Sequence, residues 1–200
     1  MTAAPAILVF AGSARRESLN KKLARSAADS ARATGAEVTL LDLRDYPIPL
    51  YDGDLEAESG IPDNARALRE IMAQHQGLIV VSPEYNGFIT PLLKNTLDWI
   101  SRPEGGVDGL SFYRDKVALV LSASPGALGG LRSLQLIRQL LGNLGVSVLP
   151  DQLAVGKAAQ AFNADGALAD PAQAAKLNAM TARLTRTLRA LAASPDVKPA

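Results

Sequence analysis

The sequence predicts an α/β protein built on an open parallel sheet of about five strands, with helices on both faces. Two observations predict it. Short runs rich in Val, Leu and Ile recur with little alternation, as expected of strands buried on both faces of a parallel sheet. Between them lie segments with helical spacing and recognisable ends, so strand and helix alternate along the chain. At 200 residues the chain suits one domain, spanning 1–200 with a frayed Ala-rich tail from about 192.

AILVFA (6–11) is the first strand, and a helix follows from Ser18 to about Thr34, stopped by Gly35. VTLLDL (38–43) is the second strand. A long connection over 44–61 then leads to an amphipathic helix in which His75 is expected to be partly exposed, with no catalytic role. LIVVS (78–82) is the third strand. Thr90-Pro91 provides an N-cap and a proline at the first helical position, opening TPLLKNTLDWISR. Trp99, with Leu92, Leu93 and Ile100, gives that helix apolar surface on more than one side, which points to a subunit contact ahead of deep burial. After a second long connection (102–115) comes VALVLSA (117–123), and SVLP (147–150) is a weaker fifth strand. Asp170-Pro171 opens the last helix, with Leu177, Met180, Leu184, Leu188 and Leu191 forming a stripe.

Composition excludes several chemistries. There are no cysteines and one histidine, so disulfides, thiolate catalysis and Cys/His zinc sites are ruled out. SASPGALGG (122–130) lacks the glycine two positions before a nucleophilic serine, and His75 precedes it, against the order a Ser-His hydrolase of this class needs. Basic residues (21) and acidic residues (20) nearly cancel, so no nucleic-acid partner is expected. The apolar runs are too short to span a bilayer, and MTAAPAILVF has no basic stretch before its apolar run, so a cytoplasmic location is expected. If the chain is an enzyme, a borrowed cofactor supplies the chemistry.

In a doubly wound sheet ligands bind beyond the carboxyl ends of the strands, which selects three loops: 12–20, 83–90 and 123–130. The first, GSARRESLN, is neither a Walker A loop nor a dinucleotide turn. It brings the hydroxyls of Ser13 and Ser18, the guanidinium of Arg15 and the amide of Asn20 to the start of a helix, where free N–H groups and partial positive charge suit a phosphate monoester. A simple helix cap with solvated arginines would explain the same residues; the place after the first strand favours the anion. In the second loop Pro83, Glu84, Tyr85, Asn86 and Gly87 follow a buried strand, with Tyr85 able to stack on a flat ring and Gly87 allowing close backbone approach. The third, SASPGALGGLRS (122–133), holds three glycines and Arg132, a weaker signal.

GSxRxxSxN, PEYNGxxxxxLKNxxDW and SxSxGxxGGxR, in this order and spacing, resemble the NADPH-dependent FMN reductase family, with similarity continuing through 47–68 and 155–170. The resemblance implies a flavodoxin-like three-layer sandwich with strand order 2-1-3-4-5. It implies that Ser13, Arg15, Ser18 and Asn20 hold the FMN phosphate, that Pro83, Glu84, Tyr85, Asn86 and Gly87 line the ribityl chain and isoalloxazine, and that Ser124 and Gly126 close the other side. It further implies FMN as cofactor, NADPH (or NADH) as donor, ping-pong transfer to a small-molecule acceptor such as a quinone, azo compound, metal oxyanion or free flavin, no catalytic side chain and no metal. A homodimer or homotetramer is expected, with the helix after Pro91 and the 44–61 connection in contact. Arg16 has no assigned role. The alternatives are a flavodoxin-type electron carrier, against which the near-neutral charge and Arg15 argue, and a flavin-binding regulatory protein without turnover.

Overall fold

The computed structural model of the chain describes residues 4–194. Five parallel strands are β1 (Ala6–Ala11), β2 (Glu37–Leu41), β3 (Gly77–Val81), β4 (Val117–Ala123) and β5 (Ser147–Val155). Six helices are α1 (Leu19–Arg32), α2 (Gly53–Ser59), α3 (Asp63–Ala73), α4 (Pro91–Ile100), α5 (Leu131–Asn143) and α6 (Pro171–Ala192). The strand order is β2-β1-β3-β4-β5, every pairing parallel, so the winding reverses between β1 and β3.

Strand side chains alternate between two apolar layers. Ile7, Val9, Ile79, Val81, Leu119 and Leu121 face α1 and α6, while Leu8, Phe10, Leu78, Val80, Ala118 and Val120 face α3, α4 and α5. This is the flavodoxin-like three-layer arrangement. Burial on both faces holds for β1, β3 and β4; β2, on an edge, is mostly exposed. It also ends at Leu41, because Asp42 turns the chain into a 3-10 turn by accepting from the Arg44 N–H.

Four other expectations need correction. The fifth strand continues through Pro150 to Val155: it is an edge strand with a register shift opposite Ala118–Val120, where a missing N–H is tolerated. The α6 stripe ends at Leu188, since Leu191 is 40% exposed. His75 lies past the end of α3 and is buried, with Nδ1 bonded to the Ile71 carbonyl at 2.6 Å and Nε2 to Thr39 Oγ1 at 2.7 Å. Trp99 is fully buried by this chain itself. The 44–61 connection folds α2 and its flanks over it, Tyr51 meets it edge-on, and its indole N–H donates to the Pro49 carbonyl at 2.9 Å. The tail from 195 lies outside the described residues.

Candidate functional site

The three selected loops meet at the carboxyl edge, around the β1/β3 reversal. Gly12 fixes where the first begins: its N–H continues the sheet onto Val81 and its carbonyl accepts from Thr90 Oγ1 at 2.8 Å. The same Thr90 hydroxyl accepts the Leu93 N–H and caps α4, so one side chain ties the first loop to the second.

From Ser13 through Asn20 no backbone N–H finds an acceptor among the described residues. The next, Lys21 N–H, reaches only Ser18 Oγ, at 3.4 Å, making Ser18 the N-cap of α1. Ser13 is 3% exposed, and its hydroxyl is not one of the buried unpartnered side-chain atoms among the described residues. Arg15 and Arg16 are exposed and enter no ion pair there. Unmatched donors at a helix start, with guanidinium groups beside them, form a concave set of partial positive charges suited to one anion.

Asn20 is placed differently from the expectation. Its side chain is 3% exposed, its Nδ2 donates to the Ala123 carbonyl at 2.8 Å, and its Oδ1 accepts the Ala123 N–H at 2.9 Å. Both ends of the amide thus face the last residue of β4. Lys21, one residue on, pairs with Asp42 at 2.6 Å. Burial alone would raise the Asp42 carboxyl, but the Lys21 ammonium and the Arg44 N–H hold it below its ordinary value.

In the second loop Tyr85 and Phe88 exchange backbone hydrogen bonds across Asn86 (φ 52°) and Gly87 (φ 81°). This is a two-residue turn of the Asn-Gly type, with both central residues left-handed. A Cβ on Gly87 would meet nothing closer than Arg132 Cζ at 3.9 Å, so its backbone faces open space. Tyr85 (47% exposed) and Phe88 (57%) flank the turn. Glu84 turns the other way. Its carboxylate, 8% exposed, accepts the Arg132 and Ser133 N–H groups at 3.1 and 3.2 Å and the Arg132 Nε at 2.7 Å, with Arg132 Nη2 also bonded. Since α5 starts after Gly130 without a side-chain cap of its own, Glu84 is that cap. Burial would raise its carboxyl, but Arg132 and the helix N–H groups outweigh that and lower it. Neither Glu84 nor Arg132 is left free by this arrangement.

The third loop packs backbone to backbone against the chain after β5: Ser124 N–H donates to the Val155 carbonyl, Lys157 N–H to Gly126 and Ala158 N–H to Ser124. Of its glycines, Gly129 (φ 63°) serves this packing, because a Cβ there would lie 2.6 Å from the Val155 carbonyl carbon. Only Gly126 faces open space. The N–H groups of Ala127 and Leu128 have no acceptor among the described residues, a donor pair that no sequence pattern singled out. A cavity of about 560 Å³ lies elsewhere, between α1, α6 and residues 163–168, and none of the predicted residues lines it.

The donor set fits an organic phosphate carrying a flat, amide-like ring. The first loop supplies unmatched N–H groups and Arg15 for the phosphate; the open backbones of Gly87 and Gly126, Tyr85, and the free N–H groups of Ala127 and Leu128 supply a surface for the ring.

Comparisons with known proteins agree with this fit. Residues 5–160 match the family described as NADPH-dependent FMN reductase. The quinone reductase of Escherichia coli (strain K12) is 35% identical over 144 residues, 72% of this chain and 72% of that protein. The structure is similar to that of FerB, a flavoenzyme NAD(P)H:(acceptor) oxidoreductase from Paracoccus denitrificans, with TM-score 0.79, 25% identity, and 94% and 98% of the two chains covered. A flavodoxin from the domain Archaea shares the fold alone, with TM-score 0.53 at 9% identity over 92% and 99% of the two chains.

Proposed function

Because the chain belongs to the NADPH-dependent FMN reductase family, and is therefore an FMN-dependent NAD(P)H oxidoreductase, we propose that the carboxyl-edge loops hold the FMN and that its reductant passes to a quinone-type acceptor. The observation that carries the site is the run of unmatched N–H groups from Ser13 to Asn20 beside Arg15. FMN, when bound, would supply the hydride chemistry between NAD(P)H and the acceptor.

The residues of the chain bind and orient. Ser13, Ser18 and Arg15 hold the phosphate together with the loop N–H groups, Arg15 by a charge-assisted contact. Pro83, Tyr85, Asn86 and Gly87 would hold the ring and its side chain from one loop, and Ser124 and Gly126 from another. The Ala127 and Leu128 N–H groups favour negative charge at the ring's polar edge. Asn20 and Glu84 act from behind, bracing the loops. Phe88 and Leu128, both more than half exposed, offer apolar contact to a planar acceptor.

We propose further that 1–200 is one FMN-binding domain acting in the cytoplasm. No described helix is long and apolar enough to cross a membrane. Self-association as a homodimer or homotetramer is supported by Leu50, which stands 77% exposed on the 44–61 segment; on α4, Trp99 is covered by this chain itself, which leaves the exposed face around Lys94 for a contact.

The test is a visible spectrum of the purified protein with FMN, followed by addition of NADPH or NADH and then a benzoquinone. Bleaching by a nicotinamide and recolouring by the quinone, over many turnovers, is expected. Binding without turnover would make the chain a carrier or a regulatory protein, and equal affinity for riboflavin and FMN would overturn the phosphate site.

A further inference from the structure

Asn20 occupies an unusual place. In β4 the carbonyl of Leu121 accepts the Ser82 N–H from the neighbouring chain of β3. Two residues on, Ala123 presents its N–H and carbonyl to the same side, because a strand repeats every two residues. There the β3 chain has already left the ladder, which ends at the Val81–Leu121 pair, and neither the Ser82 carbonyl nor the Glu84 N–H bonds Ala123. The Asn20 amide fills the vacancy, donating to the Ala123 carbonyl and accepting its N–H as a strand neighbour would, at 2.8 and 2.9 Å and across 103 residues of sequence. One side chain therefore joins the first turn of α1 to the last residue of β4, immediately ahead of the 124–130 loop.

The first turn is otherwise under-determined. From Ser13 to Asn20 no backbone N–H has a protein acceptor among the described residues, and the Ser18 cap bond is long. An anion seated there supplies the missing acceptors and orders the turn, and anything rigidly joined to the turn is ordered with it.

Resting on the FMN assignment above, we propose that Asn20 is a positioning residue that transmits occupancy of the phosphate subsite to the ring subsite, so that the two halves of the cofactor bind cooperatively. Arg15 reads the phosphate; Asn20 makes the ring loop respond to it. The linkage is reciprocal, so a free phosphate and a ring without its phosphate each raise the affinity for the other.

The experiment is a fluorescence titration of the full chain with FMN, with riboflavin, and with riboflavin in saturating inorganic phosphate. Wild type is expected to bind riboflavin at least about fivefold more tightly when phosphate is present. In Asn20→Ala that enhancement falls to near unity, and riboflavin binds more weakly even without phosphate. Asn20→Asp keeps the acceptor for the Ala123 N–H but opposes a carboxylate to its carbonyl; it folds with the acceptor bond intact and shows a reduced enhancement. Hydrogen exchange at Ser124–Leu131 slows on adding phosphate to wild type, slows less in Asn20→Asp and is indifferent to phosphate in Asn20→Ala. The proposal is overturned if wild type shows no enhancement. It is equally overturned if Asn20→Ala weakens FMN while leaving phosphate-free riboflavin unchanged, since Asn20 would then be a direct phosphate ligand. Failure of wild type to bind either flavin would instead bring down the FMN assignment itself.

Discussion

The two ends of the sheet treat their polar groups in opposite ways. At the amino end the chain satisfies itself. Gln76 Oε1 accepts the Ala6 N–H at 3.1 Å, both ring nitrogens of His75 are bonded, and the buried Lys116 ammonium donates to the His75 carbonyl just past α3. At the carboxyl end the first loop leaves a run of N–H groups unmatched, and what is bonded there, Asn20, Glu84 and Thr90, joins one loop to another. The first end closes a fold, whereas the second holds its loops together around donors that the protein leaves unmatched. Unmatched donors are tolerable because the loop carrying Ala14–Glu17 is exposed and water substitutes until the ligand arrives.

The contrast breaks most sharply at Gly129, where a residue of the carboxyl edge has a purely structural duty. Gly129→Ala puts a side chain on a left-handed backbone and 2.6 Å from the Val155 carbonyl carbon, so a loss of roughly 3–4 kcal/mol is expected in denaturant unfolding. A variant as stable as wild type would show that the third loop is not held by packing.

At the amino end, burial pulls the Lys116 ammonium down to about 8 from its ordinary 10.5. The unfolded chain then binds more protons than the folded one between those values, so stability rises with pH across that window. Lys116→Met should abolish this rise, on the order of 2–3 kcal/mol, and leave flavin affinity alone. Melting curves of both proteins from pH 7 to 10.5 test this; parallel profiles would mean that Lys116 stays solvated.

Arg15→Ala should do the reverse, weakening FMN by about 1.5–3 kcal/mol, tenfold or more, without lowering the unfolding free energy of the cofactor-free protein. Fluorescence titration beside denaturant unfolding separates the two effects. Unchanged FMN affinity would remove Arg15 from the phosphate site.

Glu84→Gln should have a smaller effect on both counts: about 1–2 kcal/mol of stability through the lost cap of α5, and a modest loss of flavin affinity through a loosened 83–88 turn. Because the folded Glu84 carboxyl lies below its ordinary 4.5, its contribution is complete above that value and disappears as pH falls through the folded one. Wild type should therefore lose its advantage over the variant below about pH 4.5, and an advantage that persists in acid would mean that the charge of Glu84 is unimportant to the cap.

Much of this was legible in the chain. Buried strands without alternation, a Thr-Pro helix start and Ser18 ahead of a helical stretch were local signals, and each produced the element it promised. The first loop was read correctly as a place rich in donors, although the more important donors are backbone N–H groups, which every sequence contains and none displays. Asn20 and Glu84 lie within ligand-like motifs, and the sequence does not show that each also bonds another part of the protein. Their partners, 103 and 48 residues away, come close only when the sheet forms. His75 was misjudged for the same reason, since Thr39 is a neighbour only across the sheet.

The sequence by itself determined the fold class, and it pointed to one edge of the sheet and to a phosphate-bearing ligand there. All three rest on periodicity, turn chemistry and residue type, which act over a few residues. Only the tertiary structure decided which polar side chains face the ligand and which hold the loops that do, and it turned Trp99 inward beneath its own chain. A hydrogen bond forms with whatever lies within about 3 Å, and in a parallel sheet those neighbours are set by crossover connections that bring distant segments together.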